Sequence, residues 1–307
     1  MGNPLISVVL PVFNGEKYIK EAIDSILVQS FEDFELIIVN DGSTDSSEAI
    51  ILNYQDRRIR YFKQENSGVG KALRYGCSVA LGRYVARMDA DDICFPNRFL
   101  LQKQYLETHP DTVLVSSAVQ YIDASGAVTG RSFPYIFNYS ICKKLNTINP
   151  VCHPAVMMKM AAYQKSIGYR DVQPFEDHLL WISMAGFGKL HNFSFPLLKY
   201  RVLDNSVSRD IPEAQHRILF RFLFDKLKTS GLGPDDISEY RKLYNAEKLK
   251  IAASFTLHAS SSDRDKPISP GSVKQAGLLR VLEKLRLPEP FIERFICTCK
   301  SVFLIFP

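Results

Sequence analysis

No apolar run in this 307-residue chain reaches the length of a membrane-spanning helix, so a bilayer-crossing segment is not expected. The six cysteines (Cys77, Cys94, Cys142, Cys152, Cys297, Cys299) are scattered and no pair has zinc-ligand spacing. Cys297-Thr298-Cys299 is not a CxxC pair, so reduced thiols in a cytoplasmic protein are expected. A basic leader is missing before the short run Leu5–Leu10, and Ile6 stands where a myristoylation site needs Ser or Thr. Two nucleotide motifs are also missing. Asn14-Gly15-Glu16 stands where a dinucleotide fingerprint would follow the first strand, which argues against a dehydrogenase. Gly68-Val69-Gly70-Lys71-Ala72 resembles the end of a P-loop, but Glu65 and Ala72 replace the required Gly and Ser/Thr. There are no internal repeats or low-complexity segments. The net charge of +5 is too mild to argue for nucleic acid. That excess lies in residues 211–307, with 16 Lys+Arg against 11 Asp+Glu, while residues 1–210 are neutral.

What is present is an alternation of strand and helix signals. Apolar runs at Ile6–Leu10, Phe34–Val39, Ile59–Phe62, Tyr84–Met88 and Thr112–Ser116 predict strands. Helical spacing over 16–28, 46–54, 68–81 and from Pro96 to about His109 fills the intervals, with Asp45 and Glu48 spaced as a capping box. Single helices between strands imply parallel βαβ units and an α/β class. The pattern then changes. Val119–Asp123 and Ala127–Arg131 flank Ala124-Ser125-Gly126 as a hairpin, and a helix is expected near 176–186. From 211 onward the signal is helical. Ser260–Gly271 reads as a loop, and 272–286 and 289–304 read as amphipathic helices. The ending Val302-Phe303-Leu304-Ile305-Phe306 reads either as packing against the main domain or as an interfacial helix.

Asp89-Ala90-Asp91-Asp92 closes the fourth strand with three carboxylates in four positions. Like charges so close repel, and oxygen-only ligands suit Mg²⁺ or Mn²⁺. The plainer reading is a solvated acidic turn. Ligands of open parallel sheets bind beyond the carboxyl ends of the strands. Pro11–Gly15, Asn40–Asp45 and Asp89–Asp92 all fall there and are expected to line one crevice. Asp41 reads either as an acceptor for a base or ribose, or as a turn aspartate before Gly42.

Ser7–Glu16, Gln29–Asp45 with the following Ser, Asn66-Ser67-Gly68 with Arg74, Gly82-Arg83-Tyr84 and Asp89–Asp92 together resemble family 2 glycosyltransferases of GT-A fold. His153–Met157, Phe175–Trp181 and Tyr200-Arg201-Val202 match the acceptor half, so the resemblance covers about residues 5–208. Tyr75 stands where an Asn commonly follows the Arg. The resemblance implies a GT-A domain over 1–210, made of a nucleotide-sugar half (1–116) and an acceptor half (117–210). A helical region over 211–307 follows.

It also implies inverting transfer from a nucleotide sugar, most often UDP-linked, with Mn²⁺ or Mg²⁺. By position, Pro11, Phe13, Asn14, Asp41, Asn66 and Ala90 would meet the nucleotide, Glu16 and Arg74 would support its pocket, and Asp89 would face the ribose. Asp91 would bind metal, His153 would help with metal or diphosphate, and Asp177 would be the general base. Glu176 is expected to point elsewhere on the helix, since adjacent residues lie about 100° apart. The pair also reads as N-terminal helix capping. Trp181 reads as an acceptor platform or a core residue, and Arg201 as a diphosphate contact or a local ion pair. A glycan or lipid-carrier-linked acceptor is expected, with peripheral inner-membrane contact through the C-terminal helices. The rival classes are a sugar nucleotidyltransferase and a non-catalytic nucleotide-sugar binder. The former needs a Gly-rich, Lys/Arg-bearing loop that Phe13–Glu16 does not supply.

Overall fold

The computed structural model describes residues 2–203, 213–229 and 231–259. The apolar runs build four parallel strands: β1 (Ile6–Val12), β2 (Phe34–Asp41), β3 (Ile59–Gln64) and β4 (Tyr84–Arg87). They stand in the order β3-β2-β1-β4. Helices α1 (Ile19–Leu27), α2 (Ser47–Leu52) and α3 (Val69–Val79) connect them. β1 is buried along its whole length because alternate residues serve opposite faces. Ile6, Val8, Leu10 and Val12 pack in one core with Ile19, Ile23 and Ile26 of α1. Val9 joins Leu73 and Cys77 of α3 in the other. Each such side chain contributes about 1.5–3 kcal/mol on burial.

The second half is mixed. It comprises β5 (Ile93–Cys94), α4 (Arg98–Thr108), β6 (Thr112–Ile122), β7 (Val128–Arg131) and α5 (Asn138–Leu145). After a 3₁₀ turn at His153–Ala155 come β8 (Met157–Lys159), α6 (Met160–Lys165), α7 (Glu176–Met184) and β9 (Lys189–Arg201). The full order is β3-β2-β1-β4-β8-β6-β9-β5, with β7 paired to β6. The expected parallel units run through β4, and beyond it the sheet becomes mixed. β8 is inserted antiparallel between β4 and β6. Its Met157 and Met158 are fully buried and fill the two opposite cores. The expected hairpin is the β6/β7 pair, turned by Gly126 at φ +88°.

The expected capping box does not form. Glu48 accepts instead from the Tyr61 hydroxyl (2.9 Å) and Lys63 Nζ (2.6 Å) of β3. Asp45 alone reaches the helix start, through the Ser47 N–H (3.0 Å).

Gly82 shows how closely β1 and β4 are joined. A Cβ there would lie 2.5 Å from the Ser7 nitrogen and 2.8 Å from the Ile6 carbonyl carbon, both backbone atoms. The Gly82 N–H donates to Ser7 Oγ (2.8 Å), which donates to the buried Glu35 (2.5 Å). Gly82→Ala is therefore expected to destabilise the fold by about 1–3 kcal/mol, read as a lower urea midpoint at unchanged slope. An unchanged midpoint would contradict this packing.

One compact unit runs to Arg241 and a second from Lys242. α8 (Glu213–Thr229) and the start of α9 (Pro234–Ala259) belong to the first. There Phe220 stacks on His178 of α7 (4.2 Å), and the Tyr240 hydroxyl donates to the Gln173 carbonyl (2.7 Å). The described part of the second unit is the remainder of α9. The loop expected at 260–271 and the helices expected at 272–286 and 289–304 lie outside the described residues. No described helix is long and apolar enough to cross a membrane.

Candidate active site

The loops beyond the carboxyl ends of β1, β2 and β4 do meet. Asn14 sits at φ +50°, a conformation Asn tolerates, and its N–H donates to Ser43 Oγ (3.0 Å). Its side-chain oxygen accepts from the Thr44 N–H (2.8 Å). Gly15 N–H donates to Ser47 Oγ (2.8 Å), and Glu16 accepts from the Ser46 N–H (2.9 Å). Asn14 and Glu16 thus bracket the β2–α2 loop. A Cβ on Gly15 would lie 3.6 Å from that of Ala90, which joins the third loop to the first. Pro11 is buried at the end of β1, while Phe13 is 52% exposed beside it.

Asp41 is buried, and its carboxylate is taken by its own scaffold. Oδ1 accepts from Gln64 Nε2 (2.6 Å) and the Ser67 N–H (3.0 Å), and Oδ2 accepts from the Gly68 N–H (2.8 Å). Gly42, at φ +76°, presses against the Asn66 backbone, where a Cβ would lie 2.7 Å from its nitrogen. Asp41 therefore shapes the exposed Asn66 loop. Arg74 is exposed on α3, and its charge acts on Tyr163.

The centre of the site is Arg87, the last residue of β4, which is buried. Its guanidinium donates to Asp89 (2.6 Å) and forms an ion pair with it through both terminal nitrogens. Burial opposes its charge, but Asp89, Tyr169 and Asp92 hold its pKa above the ordinary value. On one side stand Asp89, Asp91 and Asp92, with one oxygen from each within 4.8 Å of the others. Burial and the neighbouring Asp89 push Asp91 up to about 6 and Asp92 well above the usual carboxylate range. Asp92 Oδ1 accepts from the Arg201 N–H (2.9 Å), whereas its buried Oδ2 has no hydrogen-bond partner. An all-oxygen donor set with an orphaned buried oxygen fits a hard divalent cation.

On the other side stand His153, Glu176 and Asp177, again with ligand atoms within 4.8 Å of one another. Sheet pairing explains how His153 comes there. β8 runs antiparallel to β4, with Ala86 opposite Met157, and the Arg87 N–H donates to the Val156 carbonyl (3.1 Å). The residues just before β8 are therefore laid beside those just after β4. Asp177 Oδ2 accepts from Asn149 Nδ2 (2.7 Å) and lies 3.6 Å from His153 Nδ1. Its Oδ1 accepts from the His178 N–H (2.6 Å).

Burial raises Asp177 to about 6, against the pull of that N–H, Arg87 and Asn149. Burial and Asp177 raise Glu176 to about 8. Burial and Arg87 hold His153 well below its ordinary value, so it is neutral, with Nε2 2.9 Å from the Tyr169 hydroxyl.

One expectation changes here, and the open readings of Trp181 and Arg201 are resolved. Glu176 does not point away from Asp177. In the first helical turn its longer side chain bends into the same cluster, with Oε2 buried and unpartnered. His153 joins Asp177, not the aspartate cluster. Trp181 is a core residue, fully buried with its ring edge-on to His153 (5.6 Å, 76°). Arg201 is the local ion pair. It reaches Glu21 (2.6 Å) and the Asp91 (2.8 Å) and Asp123 (3.1 Å) carbonyls, and it lies over the Tyr18 ring at 4.3 Å. Arg87, Asn149 and Tyr169 complete the site without a motif to mark them; the one sequence signal is Arg87, a cation inside an otherwise apolar strand.

Comparison with known proteins agrees with this architecture. The chain belongs to glycosyl transferase family 2, whose model matches residues 7–166. An uncharacterised glycosyltransferase of Methanocaldococcus jannaschii is 36% identical over 218 residues, covering 68% of this chain and 75% of that protein. One from Haemophilus influenzae is 32% identical over 219 residues, covering 67% and 68%. One from Rickettsia bellii is 33% identical over 198 residues, covering 64% of this chain, which spans only 29% of that longer protein.

Among solved structures, S. aureus TarS in complex with UDP-GlcNAc superposes with a TM-score of 0.59 at 18% identity, covering 80% of this chain and 73% of that one. The mannosyltransferase PcManGT from Pyrobaculum calidifontis, in complex with GDP-Man and Mn²⁺, gives 0.55 at 19% identity, covering 95% and 83%. The fold is that of the GT-A class.

Proposed function

We propose that this protein transfers a sugar with inversion from a nucleotide sugar, UDP-linked by preference, to a glycan or lipid-carrier-linked glycan. The observation that carries this is the pair of acidic clusters on either side of Arg87, at the carboxyl end of a nucleotide-binding type of sheet. The donor nucleotide lies against Pro11, Phe13, Asn66 and Ala90, on loops that Asn14, Glu16 and Asp41 hold in shape. Asp91 and Asp92 would hold Mg²⁺ or Mn²⁺, which when bound would neutralise charge on the departing nucleoside diphosphate. TarS with UDP-GlcNAc and PcManGT with GDP-Man and Mn²⁺ support a nucleotide-sugar donor and a divalent metal on this fold.

Asp177 is the base. Near neutral pH it is ionised, because a group titrating at about 6 has lost its proton there. It accepts the proton of the acceptor hydroxyl as that oxygen bonds to the anomeric carbon and the bond to the diphosphate breaks. Asn149 and neutral His153 orient the carboxylate. Glu176, which holds its proton until about pH 8, keeps the pair from carrying two charges.

The test is a thermal-shift panel of UDP, GDP, TDP and CDP with and without Mn²⁺. UDP is expected to raise Tm only with metal, and Asp91→Ala to remove that rise. A metal-independent shift, or one that survives in Asp91→Ala, would remove the metal assignment. A shift with another nucleotide alone would change the donor.

A further inference from the structure

Between Asp123 and Asp171 the chain has no carboxylate at all, but it holds Arg131, Lys143, Lys144, Lys159, Lys165 and Arg170. Within that stretch exposure alternates, and the exposed residues from 131 to 139 are Arg131, Phe133, Tyr135, Phe137 and Tyr139. Phe133 and Tyr139 are 78% exposed and Phe137 73%. Large side chains left in water this way in one short segment mark a contact surface.

The backbone beneath them is held to the sheet. The Ser132 N–H donates to the Val119 carbonyl (2.9 Å). Asn192 of β9 donates through its side chain to the Tyr135 carbonyl (2.7 Å) and through its N–H to that of Ile136 (3.3 Å). The rings are therefore displayed by a fixed scaffold. Cations accompany them: the Arg131 guanidinium lies 4.7 Å from the Phe133 ring, and Lys144 Nζ lies 5.3 Å from that of Tyr135.

We propose that the segment from Val128 to Ile148 docks this protein on an anionic lipid bilayer, with Phe133, Phe137 and Tyr139 entering the interface and Arg131, Lys143 and Lys144 meeting the headgroups. Aromatic rings with amphipathic surroundings settle at the headgroup level. Lys and Arg near an anionic surface each add about a fivefold gain in binding. A glycan platform would also use rings, but it would set carboxylates among them to grip hydroxyls, and this stretch has none. The docking places the surface beside the chemistry. The exposed Ile148 precedes Asn149, which holds Asp177. The bilayer contact thus belongs to the acceptor half rather than to the C-terminal tail, and it stands whatever the donor is.

The test is sedimentation of the full chain with vesicles of phosphatidylcholine alone, or with about one third phosphatidylglycerol, without nucleotide. Wild type is expected to bind the anionic vesicles and to release as salt rises. Lys143→Glu with Lys144→Glu should weaken binding by about 30-fold or more. Phe133→Ser with Phe137→Ser and Tyr139→Ser should weaken it by about tenfold or more. Both variants should keep the wild-type Tm, since the changed side chains are at the surface. Failure of wild type to bind anionic vesicles would overturn the proposal. So would wild-type binding by both variants, which would move the contact elsewhere in the chain. Loss of soluble-glycan binding in the aromatic variant, with no vesicle binding by wild type, would assign the rings to a sugar.

Discussion

Asp177→Asn is expected to lower turnover by about 10²- to 10⁴-fold while leaving donor affinity near wild type. Asparagine keeps the shape, although its single oxygen can accept from only one of Asn149 Nδ2 and the His178 N–H, and it cannot take a proton. The pH profile gives an independent check. Burial raises Asp177 to about 6, so the base is protonated and inactive below that pH and ionised above it. Turnover of wild type should therefore fall with decreasing pH through about 6, roughly tenfold per pH unit. The residual activity of Asp177→Asn should lack that limb. A variant with unchanged turnover, or one that keeps the acid limb, would assign the base to another group.

Arg87→Met should produce the largest loss of stability, about 3–5 kcal/mol near neutral pH. The buried guanidinium pairs with Asp89 and its charge also acts on Glu176 and Asp177, and methionine matches its bulk but removes that charge. The loss should shrink at lower pH. Asp91 and Asp177, raised to about 6, and Glu176, raised to about 8, bind protons more tightly in the folded than in the unfolded chain. Such groups favour the fold when protonated and oppose it as pH rises through these values. Urea unfolding of both proteins at pH 5 and pH 8, without metal, measures this. Equal destabilisation at the two pH values would mean that Arg87 acts through packing alone.

The strands that carry the donor loops are legible because β1, β2 and β4 are mostly apolar runs with Pro, Asp-Gly and Asp signals at or just beyond their ends. What escaped was set by partners distant in sequence. β5 and β8 are only two and three residues long, too short for any periodicity, yet β8 decides that His153 lies beside the end of β4. The Asp45–Glu48 spacing matches a cap, but Tyr61 and Lys63 of a strand distant in sequence compete for Glu48. Ideal helix geometry places Glu176 on another face because it ignores how far a glutamate reaches at a helix start. The three aspartates after Arg87 dominate the local sequence signal, although their closeness is what requires a buried cation beside them.

The central claim is that one cluster binds donor and metal while the other performs the transfer. The direct measurement is nucleoside diphosphate release from a UDP-sugar with Mn²⁺, alongside donor affinity, for wild type, Asp91→Ala and Asp177→Asn. The expected result is that Asp91→Ala loses both binding and release, whereas Asp177→Asn binds the donor like wild type and fails to release diphosphate. Release by Asp177→Asn at the wild-type rate, or loss of donor binding in both variants alike, would contradict the division of the site.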